Sequence, residues 1–516
     1  MISSASTVVR PWRPAPRWSR AAPFVLLAVL TAAVLAFTRG PMCPDVSGQF
    51  WIAHMMRGGV RLYVDFIEMN PPLWFWLAVP IDWAAEVSGV RYEVIAIVGM
   101  ALALAAAVRA IERLLPFEPA QKALFLCYVV AAVMIIPARY FEQREHIALI
   151  AALPYFILAA ARRQGRSIDT RPAALIGLFA GIGLSLKPHF LAGPILIELW
   201  LLAALRRDWR PLRAETLALA AAVLTYLASI AIFTPAYLTH ILPELVGPYQ
   251  SIGPTLGDIL RSFNPALWLV MLAAFIPLRR ALIDGAAPVA TALLIGGAGF
   301  AAAWLLQHKG WMYQGLPATG CVAMAFAALA IESRAARPPW FNLVLPAFLA
   351  LPLTTAMLET EARITPANDI APAFADLRRG DAFALISTGG AASWPALVDR
   401  GLRLSTRFGQ YWMLRSLDTK PRDPAAVRLV DRAVRETAAD MRCLPPKIIV
   451  FIRLERGRPG PRVADNPQPY FMRDPGFATV MGHYRLDKVG PIYDSYRLAA
   501  PFAPFDRSGC RRSPQP

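Results

Sequence analysis

Apolar residues occur along most of this chain in long uninterrupted blocks rather than at helical or strand spacing on one face. A helix that crosses the hydrocarbon core of a bilayer needs about 17–25 such residues, because every backbone group there must bond within its own helix. A soluble core would not need that length so many times. The pattern predicts apolar segments at residues 22–38, 71–88, 91–111, 120–136, 146–161, 173–186, 190–205, 214–234, 265–278, 286–306, 312–332 and 340–358.

Composition supports a membrane protein. The 516 residues are 56% hydrophobic and 17% charged, with a mean hydropathy of +0.43, whereas soluble domains carry about 25% charged residues. The formal net charge of +18 first suggests a nucleic-acid partner. The basic residues, however, cluster between apolar blocks, which is typical of the cytoplasmic face of membrane proteins and argues against nucleic acid. These clusters include Arg109, Arg113 and Lys122; Arg162, Arg163 and Arg166; Arg206, Arg207 and Arg210; and Arg279 and Arg280.

The last third of the chain has a mixed pattern. The short apolar runs Ala382–Ile386 and Lys447–Ile452 are typical of buried strands. We therefore expect an all-α polytopic membrane bundle of about 11–13 transmembrane helices with a small C-terminal α/β soluble domain. The predicted divisions are a cytoplasmic basic arm at 1–20, a transmembrane module at 21–358, a soluble extracytoplasmic domain at 359–505 and a disordered tail at 506–516.

Orientation follows from the basic clusters. Three apolar blocks separate the first outside loop from the second, yet only an even number of crossings can join two outside loops. Block 71–88 contains Pro80, Asp82 and Glu86, which makes it the weakest span, so we expect it not to cross fully. Eleven crossings then place the C-terminal domain outside. The predicted outside loops are 39–70, 137–146, 187–189, 235–264 and 307–311.

The five cysteines include no CxxC pair, which argues against a structural zinc site of that kind. Cys443 and Cys510 both follow the last apolar block. They are expected either to pair in an oxidising compartment or to remain two separate thiols.

Polar clusters mark the outside loops. In the first loop, Trp51 and Met55 recur at helical spacing after Asp45, which predicts an amphipathic interfacial helix. Gly58–Gly59 ends this helix, and Pro71–Pro72 begins the next one.

Ionisable residues beside hydrocarbon are costly and usually line a cavity or carry function. Any one of them could instead be solvated or paired with a neighbour, but four clusters on one face favour a common site. The other three clusters are Gln143-Arg144-Glu145-His146, Lys187-Pro188-His189 and Gln307-His308-Lys309-Gly310-Trp311.

The first outside loop resembles that of the GT-C superfamily of polyprenyl-phosphate-sugar-dependent membrane glycosyltransferases, which includes the protein O-mannosyltransferases and the lipid A aminoarabinose transferases. Asp45 stands where the family has an acidic residue, Gly59–Phe66 is similar to the middle of the loop, and Asn70-Pro71-Pro72 matches its end. Residues 141–146 are similar to the second outside loop, and Lys187 falls where a basic residue is common. The chain departs from the pattern at Val46, where many members have a second acid, and at Asn70, where lipid A transferases carry Lys.

The resemblance implies an inner-membrane enzyme that moves a sugar from a polyprenyl-phosphate donor to an extracytoplasmic glycan, lipid or protein acceptor, with inversion. Such transfer needs a base for the acceptor proton and positive charge for the leaving phosphate. Asp45 is the predicted base, with Asp65 in reserve. The predicted phosphate- and donor-binding residues are Arg144, Lys187, Lys309, His308 and Asn70, and the predicted pocket wall is Trp311 and Tyr313.

Glu68, Glu145 and His189 are candidates for binding a divalent metal ion or for supporting the other site residues. Their irregular spacing is a weak metal signal, so no cofactor is firmly predicted. A transporter or lipid-linked sugar flippase without covalent chemistry is the main alternative. It would place charged residues near the bilayer midplane rather than at block ends. A membrane scaffold whose tail binds a partner is a third hypothesis.

Overall fold

The structure of this protein is a computed structural model. It describes residues 17–37, 43–250, 252–333, 343–354, 370–389, 401–453, 462–502 and 510. Most of the predicted basic arm at 1–20, the predicted boundary at 359 and all of the predicted tail at 506–516 except Cys510 lie outside the described residues.

The part before residue 355 is a helical bundle. Its helices are α1 (Arg17–Phe37), α2 (Pro44–Arg57), α3 (Leu73–Ser88), α4 (Tyr92–Leu114), α5 (Pro119–Ile135), α6 (Arg144–Arg163), α7 (Thr170–Leu184), α8 (Ala192–Leu205), α9 (Ala214–Phe233), α10 (Leu256–Leu260), α11 (Phe263–Ala273), α12 (Arg279–Ile283), α13 (Pro288–Gln307), α14 (Leu316–Glu332) and α15 (Leu343–Thr354). Short 3₁₀ turns occupy Ala138–Tyr140, Pro188–Leu191, Arg206–Asp208, Ile276–Leu278 and Met312–Gly315.

Within the described residues, six helical segments are long and apolar enough to cross a membrane: Tyr92–Leu114, Arg144–Arg163, Pro188–Asp208, Ala214–Phe233, Pro288–Gln307 and Met312–Glu332. Leu256–Ala273 and Ile276–Ile283 are together long and apolar enough to cross as one segment, which is bent by 43° at a short break. Four shorter apolar helices are Arg20–Ala36, Pro119–Ile135, Thr170–Leu184 and Leu343–Thr354. Helix α3 belongs to neither group, and eleven crossings would require all of the segments named here.

Helices α6 and α14 form the centre of the bundle. In the apolar, membrane-length stretch of each, 94% of the residues are buried inside the protein, whereas only 11% are buried in the corresponding stretch of α9. Small residues allow close packing around this centre. A Cβ added at Gly299 of α13 would lie only 2.4 Å from the Cα of Gly193 in α8, so neither helix could approach the other with a larger residue there.

Helices α2 and α3 pack against each other beside the bundle. Gly59 follows α2 with φ +89°, a conformation that favours glycine, and Pro72 precedes α3. Both predicted helix boundaries are therefore confirmed. The acids that weakened block 71–88 as a span pair with α2: Asp82 accepts from Arg57 at 2.7 Å and lies 3.3 Å from His54 Nδ1, while Glu86 also pairs with Arg57.

The predicted loop 235–264 is more regular than expected. Helical turns run through Tyr237–Ile241, Leu242–Glu244 and Leu245–Tyr249, partly with π-helical hydrogen bonding, and α10 follows. Pro243 and Pro248 lack the N–H that an α-helix needs. They interrupt the apolar period that would have indicated a helix.

The C-terminal part is an α/β domain. Its elements are β1 (Ala382–Ile386), β2 (Arg403–Leu404), α16 (Leu414–Thr419), α17 (Pro424–Cys443), β3 (Ile448–Ile452), α18 (Gln468–Phe471), α19 (Pro475–Met481), β4 (Tyr484–Val489) and β5 (Tyr493–Leu498), after a 3₁₀ turn at Ala371–Phe374. The strands form a five-stranded sheet in the order β2-β1-β3-β5-β4. Strand β1 is parallel to β2 and β3, while β5 is antiparallel to β3 and β4. Both strands predicted from sequence, β1 and β3, are present.

This domain sits on the predicted outside loops. Ile67 of the first loop forms a parallel bridge with Phe408, and its N–H donates to the Arg407 carbonyl at 2.8 Å. Tyr249 of the 235–264 segment packs against Trp412, with ring centroids 5.3 Å apart. The domain and these two segments therefore share one face of the bundle. Cys443 and Cys510 form a disulfide within it.

Candidate active site

Three consecutive residues at the start of α6 reach three different parts of the chain. Gln143 contacts Asp45 in α2, Arg144 contacts Asn70 before α3, and Glu145 contacts Lys187 between α7 and α8. Successive side chains in a helical first turn point about 100° apart, so a single turn can serve as such a hub. We call these residues, together with Gln307 and Tyr313, the Asp45 site.

Asp45 is held but open to solvent. Pro44 occupies the first turn of α2, and the adjacent carboxylate lies near the positive end of the helix dipole. Its Oδ2 accepts from Gln143 Nε2 at 3.1 Å, and the same amide lies 3.3 Å from Cys43 Sγ. The Asp45 residue is exposed, whereas Gln143 and Cys43 are buried. A reacting hydroxyl can therefore approach an oriented carboxylate.

Arg144 is buried in the first turn of α6. It donates from Nη1 to the side-chain oxygen of Asn70, and its guanidinium lies 4.6 Å from the centre of the Trp74 ring. Its Nε is buried without a partner in the described structure. Part of this cation's hydrogen-bonding capacity is thus unused.

Glu68 fixes the partner of Arg144. Its Oε1 accepts from Asn70 Nδ2 at 2.8 Å, from the Asn70 N–H at 3.1 Å and from the Met69 N–H at 2.8 Å. Burial raises the pKa of the Glu68 carboxyl, while these backbone donors and the charge of Arg144 oppose that shift. Glu68 orients Asn70, and Asn70 in turn orients Arg144.

Lys187 is the second buried cation. Its Nζ donates to Glu145 Oε1 at 2.5 Å and to Gln307 Oε1 at 2.7 Å. Burial, with a smaller contribution from Arg144, lowers the pKa of Lys187 to about 8. The ring centre of Tyr313 is 5.7 Å from Nζ, and the Tyr313 hydroxyl is buried without a partner among the described residues.

Buried polar atoms without partners are uncommon in folded proteins, and each one calls for an explanation. The Asp45 site contains donors of this kind at Arg144 and Tyr313 and acceptors at Glu145 and Gln143. This mixture can bind a ligand that offers both an anionic group and hydroxyls.

No family model matches the sequence, and no curated protein matches it. The fold, however, matches crystal structures of ArnT from Cupriavidus metallidurans. The form bound to undecaprenyl phosphate has a TM-score of 0.56 at 12% identity, covering 94% of this chain and 98% of ArnT. The apo form has a TM-score of 0.54 at 13% identity, covering 94% and 99%. The chain shares the overall fold of ArnT. The fold predicted from the first outside loop is confirmed.

Within this ArnT-like fold, Asp65 is part of a buried turn. Its carboxylate accepts from Arg61 at 2.9 Å from Nε, 2.8 Å from Nη2 and 3.0 Å from the backbone N–H. Only 1% of the Asp65 side chain is exposed, against 62% of Arg61. Asp65, the alternative base predicted from sequence, therefore makes contacts that fix the conformation of the loop.

Lys309 joins two of the predicted outside loops, 307–311 and 235–264. Its Nζ donates to the carbonyls of Tyr249, at 2.7 Å, and Ile252, and it lies 3.9 Å from the Tyr249 ring centre. Burial, with Arg415 contributing, lowers the pKa of Lys309 to about 8. Most of its donors are used in anchoring the 235–264 segment.

The residues around Lys309 form an aromatic edge. His308 ends α13 in a left-handed conformation (φ +52°) and is half-buried. Trp311 stacks on Tyr313 with ring centroids 5.7 Å apart, and Tyr140 lies 5.4 Å from Tyr313 on another side. Tyr313 in turn lies near Lys187, whose Nζ is 5.7 Å from its ring centre.

Glu68, Glu145 and His189, the three candidates for binding a metal ion, do not form a cluster with one another. Within the described residues, no group of three or more His, Cys, Asp or Glu side chains is placed to hold a metal ion. Glu68 bonds to Asn70, Glu145 bonds to Lys187, and His189 is half-buried with its Nδ1 unpartnered.

Sequence analysis assigned no role to Gln143 or Gln307, although both lie in the polar clusters. Uncharged amides carry no electrostatic signature, so only contacts identify them.

Proposed function

We propose that this protein is a membrane glycosyltransferase that transfers a sugar from a polyprenyl-phosphate donor to an extracytoplasmic acceptor with inversion. The single observation that carries this proposal is the convergence of one open carboxylate, Asp45, with two buried cations, Arg144 and Lys187, in an ArnT-like fold. A base and a cationic phosphate cradle are the two requirements of the reaction.

In the proposed reaction, Asp45 accepts the proton of the acceptor hydroxyl. The acceptor oxygen forms a new bond to the anomeric carbon, and the bond between that carbon and the phosphate oxygen breaks. The electron pair leaves with polyprenyl phosphate, whose charge increases by one. A single displacement of this kind inverts the anomeric configuration.

Arg144 and Lys187 would bind the phosphate. Arg144 has an unused buried donor, and Lys187 Nζ, which has three N–H groups, donates to Glu145 and Gln307 and so has a third N–H to offer. Charge-assisted bonds in such a water-poor place are strong and become stronger as negative charge develops on the leaving group. The bound state of one ArnT neighbour, with undecaprenyl phosphate, supports a lipid-phosphate ligand of this class.

The proposed location is the outer face of an inner membrane. The basic clusters lie in segments that would face the cytoplasm. The Cys443–Cys510 disulfide belongs to the domain that contacts the outside loops, and disulfides are typical of oxidising compartments. The acceptor is a glycan, a lipid or a protein on that side.

Mass spectrometry of envelope lipids and glycans from cells with and without the protein tests the proposal. We expect one glycan or lipid to lack a single sugar residue in the deletion strain, and purified protein to restore it from a lipid-phosphate sugar donor. Movement of the donor across a vesicle membrane without any covalent product would instead support the flippase hypothesis.

A further inference from the structure

The connection between α5 and α6 contains two strained residues. Ala138 has φ +46° and Glu142 has φ +66°, in a region that non-glycine residues rarely occupy. Such conformations are strained for residues with a side chain, and they concentrate at functional sites. The turn between them presents Arg139.

Arg139 has unused donors in a buried position. The residue is half-buried, and its guanidinium lies 5.3 Å from the centre of the Tyr140 ring. Its Nε and Nη1 are buried without a hydrogen-bond partner among the described residues. A guanidinium is always charged and accepts no hydrogen bonds, so only an acceptor oxygen can satisfy these groups.

The acid on the same turn does not meet that need. Both carboxyl oxygens of Glu142 are themselves buried and unpartnered in the described structure. Burial, and secondarily Glu93, raises the pKa of Glu142 well above its usual value. This shift favours the neutral form of Glu142, and neither of its carboxyl oxygens accepts a hydrogen bond from Arg139.

Arg139 is linked to the Asp45 site through its ring partner and lies near the start of α2. Burial raises the pKa of the Cys43 thiol to about 12 and Asp45 adds to that shift, while the charge of Arg139 opposes it. Arg139 is thus within electrostatic range of the start of α2. Its ring partner Tyr140 is 5.4 Å from Tyr313, whose own ring centre is 5.7 Å from Lys187 Nζ.

We propose that Arg139 is a third phosphate-binding cation, which donates from its buried N–H groups to the lipid phosphate beside Asp45. This inference rests on the proposed function and adds a residue to it. It is carried by the orphaned guanidinium, the strained turn that presents it and its position beside the site.

Arg139 acts most strongly on the leaving group. A phosphodiester donor carries one negative charge, and the polyprenyl phosphate released from it carries up to two. An added cation at this place therefore binds the product, and the transition state that leads to it, more tightly than the donor. Ligand binding also removes the cost of the unpaired guanidinium.

Binding of undecaprenyl phosphate to the full-length protein in detergent tests this role, with undecaprenol as the uncharged probe. We expect Arg139→Gln to weaken binding of the phosphate roughly tenfold to a hundredfold, since hydrogen bonds between charged groups are strong. Binding of undecaprenol should not change. Arg261→Gln is the matched control, because Arg261 is an exposed arginine on the 235–264 segment. Equal affinity of wild type and Arg139→Gln for the phosphate would overturn the proposal.

A second measurement uses the wild-type protein and does not depend on the variant folding. Phenylglyoxal modifies accessible arginines, and mass spectrometry locates the adducts. We expect undecaprenyl phosphate, but not undecaprenol, to protect Arg139, with Arg261 modified equally in all samples. Unchanged modification of Arg139 in protein saturated with the phosphate would refute its role alone. Failure of the wild type to bind the phosphate would refute the proposed function itself.

Discussion

Arg144 donates to the side-chain oxygen of Asn70, a residue of the first predicted outside loop that lies 74 positions earlier in the chain. In the lipid A transferases that the first loop resembles, the position of Asn70 carries Lys. Arg144 therefore places a positive charge beside the position at which, by the resemblance of the first loop, those proteins would carry a lysine ammonium. In this chain the charge comes from α6.

This relationship predicts a charge exchange. We expect Arg144→Gln to weaken binding of undecaprenyl phosphate roughly tenfold or more, because a buried charge-assisted contact is lost. Adding Asn70→Lys to that variant should recover most of the affinity by restoring a cation at the same place. Titration of the wild type, both single variants and the double variant measures the coupling. If the double variant instead lost as much affinity as the two single variants together, Lys at position 70 could not replace the charge of Arg144, and the prediction would be wrong.

Asp45 and Asp65 should respond differently to the same substitution. Asp45→Asn is expected to lower the transfer rate about 10²- to 10⁴-fold, the usual contribution of a general base, with little change in stability. Asp65→Asn removes the buried partner of Arg61 and is expected to cost about 1–3 kcal/mol of stability. Single-turnover transfer assays and thermal unfolding of both variants separate these roles. Normal transfer by Asp45→Asn would remove it as the base.

Ligand affinity should depend on pH through Lys187. The lowered pKa of about 8 means that its ammonium is charged below that pH and loses the charge as pH rises through it. The ligand phosphate is already a dianion above pH ~6. We therefore expect the affinity for undecaprenyl phosphate to be constant from pH 7 to about 7.5 and to fall above 8.

Lys187→Arg is the control for this pH dependence, since arginine stays charged throughout the range. Its affinity should remain level to pH ~9.5. Lys309 has a similarly lowered pKa, so Lys309→Arg is the second control and should retain the wild-type fall. If Lys309→Arg removed the pH dependence and Lys187→Arg did not, the titrating group would be Lys309, and the prediction for Lys187 would be wrong.

The Cys443–Cys510 bond should stabilise the C-terminal domain. It closes a loop with a sequence separation of 67 residues, which corresponds to about 4 kcal/mol in the chain-entropy description. We expect Cys443→Ser to lower the urea midpoint for proteolysis of this domain in the whole protein. Cys127→Ser, at a half-buried free thiol in α5, is the matched control and should leave the midpoint unchanged.

Membrane orientation can be checked with two exposed positions. Asp258 lies in α10 of the 235–264 segment, and Arg207 lies in a basic cluster. In a Cys127→Ser background, we expect Asp258→Cys to react with an impermeant maleimide in intact spheroplasts. Arg207→Cys should react only after permeabilisation. Reaction of both from the same side would contradict the proposed topology.

Much of the architecture is predictable from sequence because bilayer thickness fixes the length of a spanning helix. The parity of the outside loops singled out block 71–88, and α3 indeed differs from the segments that pass as membrane spans. The helix boundaries at Gly58–Gly59 and Pro71–Pro72 followed from local backbone chemistry. Conversely, the helical turns at 237–249 were not predicted, because Pro243 and Pro248 are residues that normally argue against a helix.

The site was predictable as a set of clusters but not as a set of contacts. Charge patterns pointed to Arg144 and Lys187, yet which acid each would meet depends on how helices far apart in sequence pack. Lys309 shows the limit most clearly, since its sequence neighbours resemble a ligand-binding group while its ammonium binds two carbonyls. Arg139 depends on a backbone conformation that no residue pattern indicates.

The bridge between Ile67 and Phe408 joins the first predicted outside loop to a residue 341 positions later in the chain. This contact can form only after the helical bundle and the C-terminal domain have both folded and docked. We therefore expect the stretch between Ile67 and Asn70 to reach its final arrangement late in folding. A chain cut before residue 370 should still insert its helices, but it should bind lipid phosphate more weakly because Asn70 and its partner Arg144 would be less well ordered.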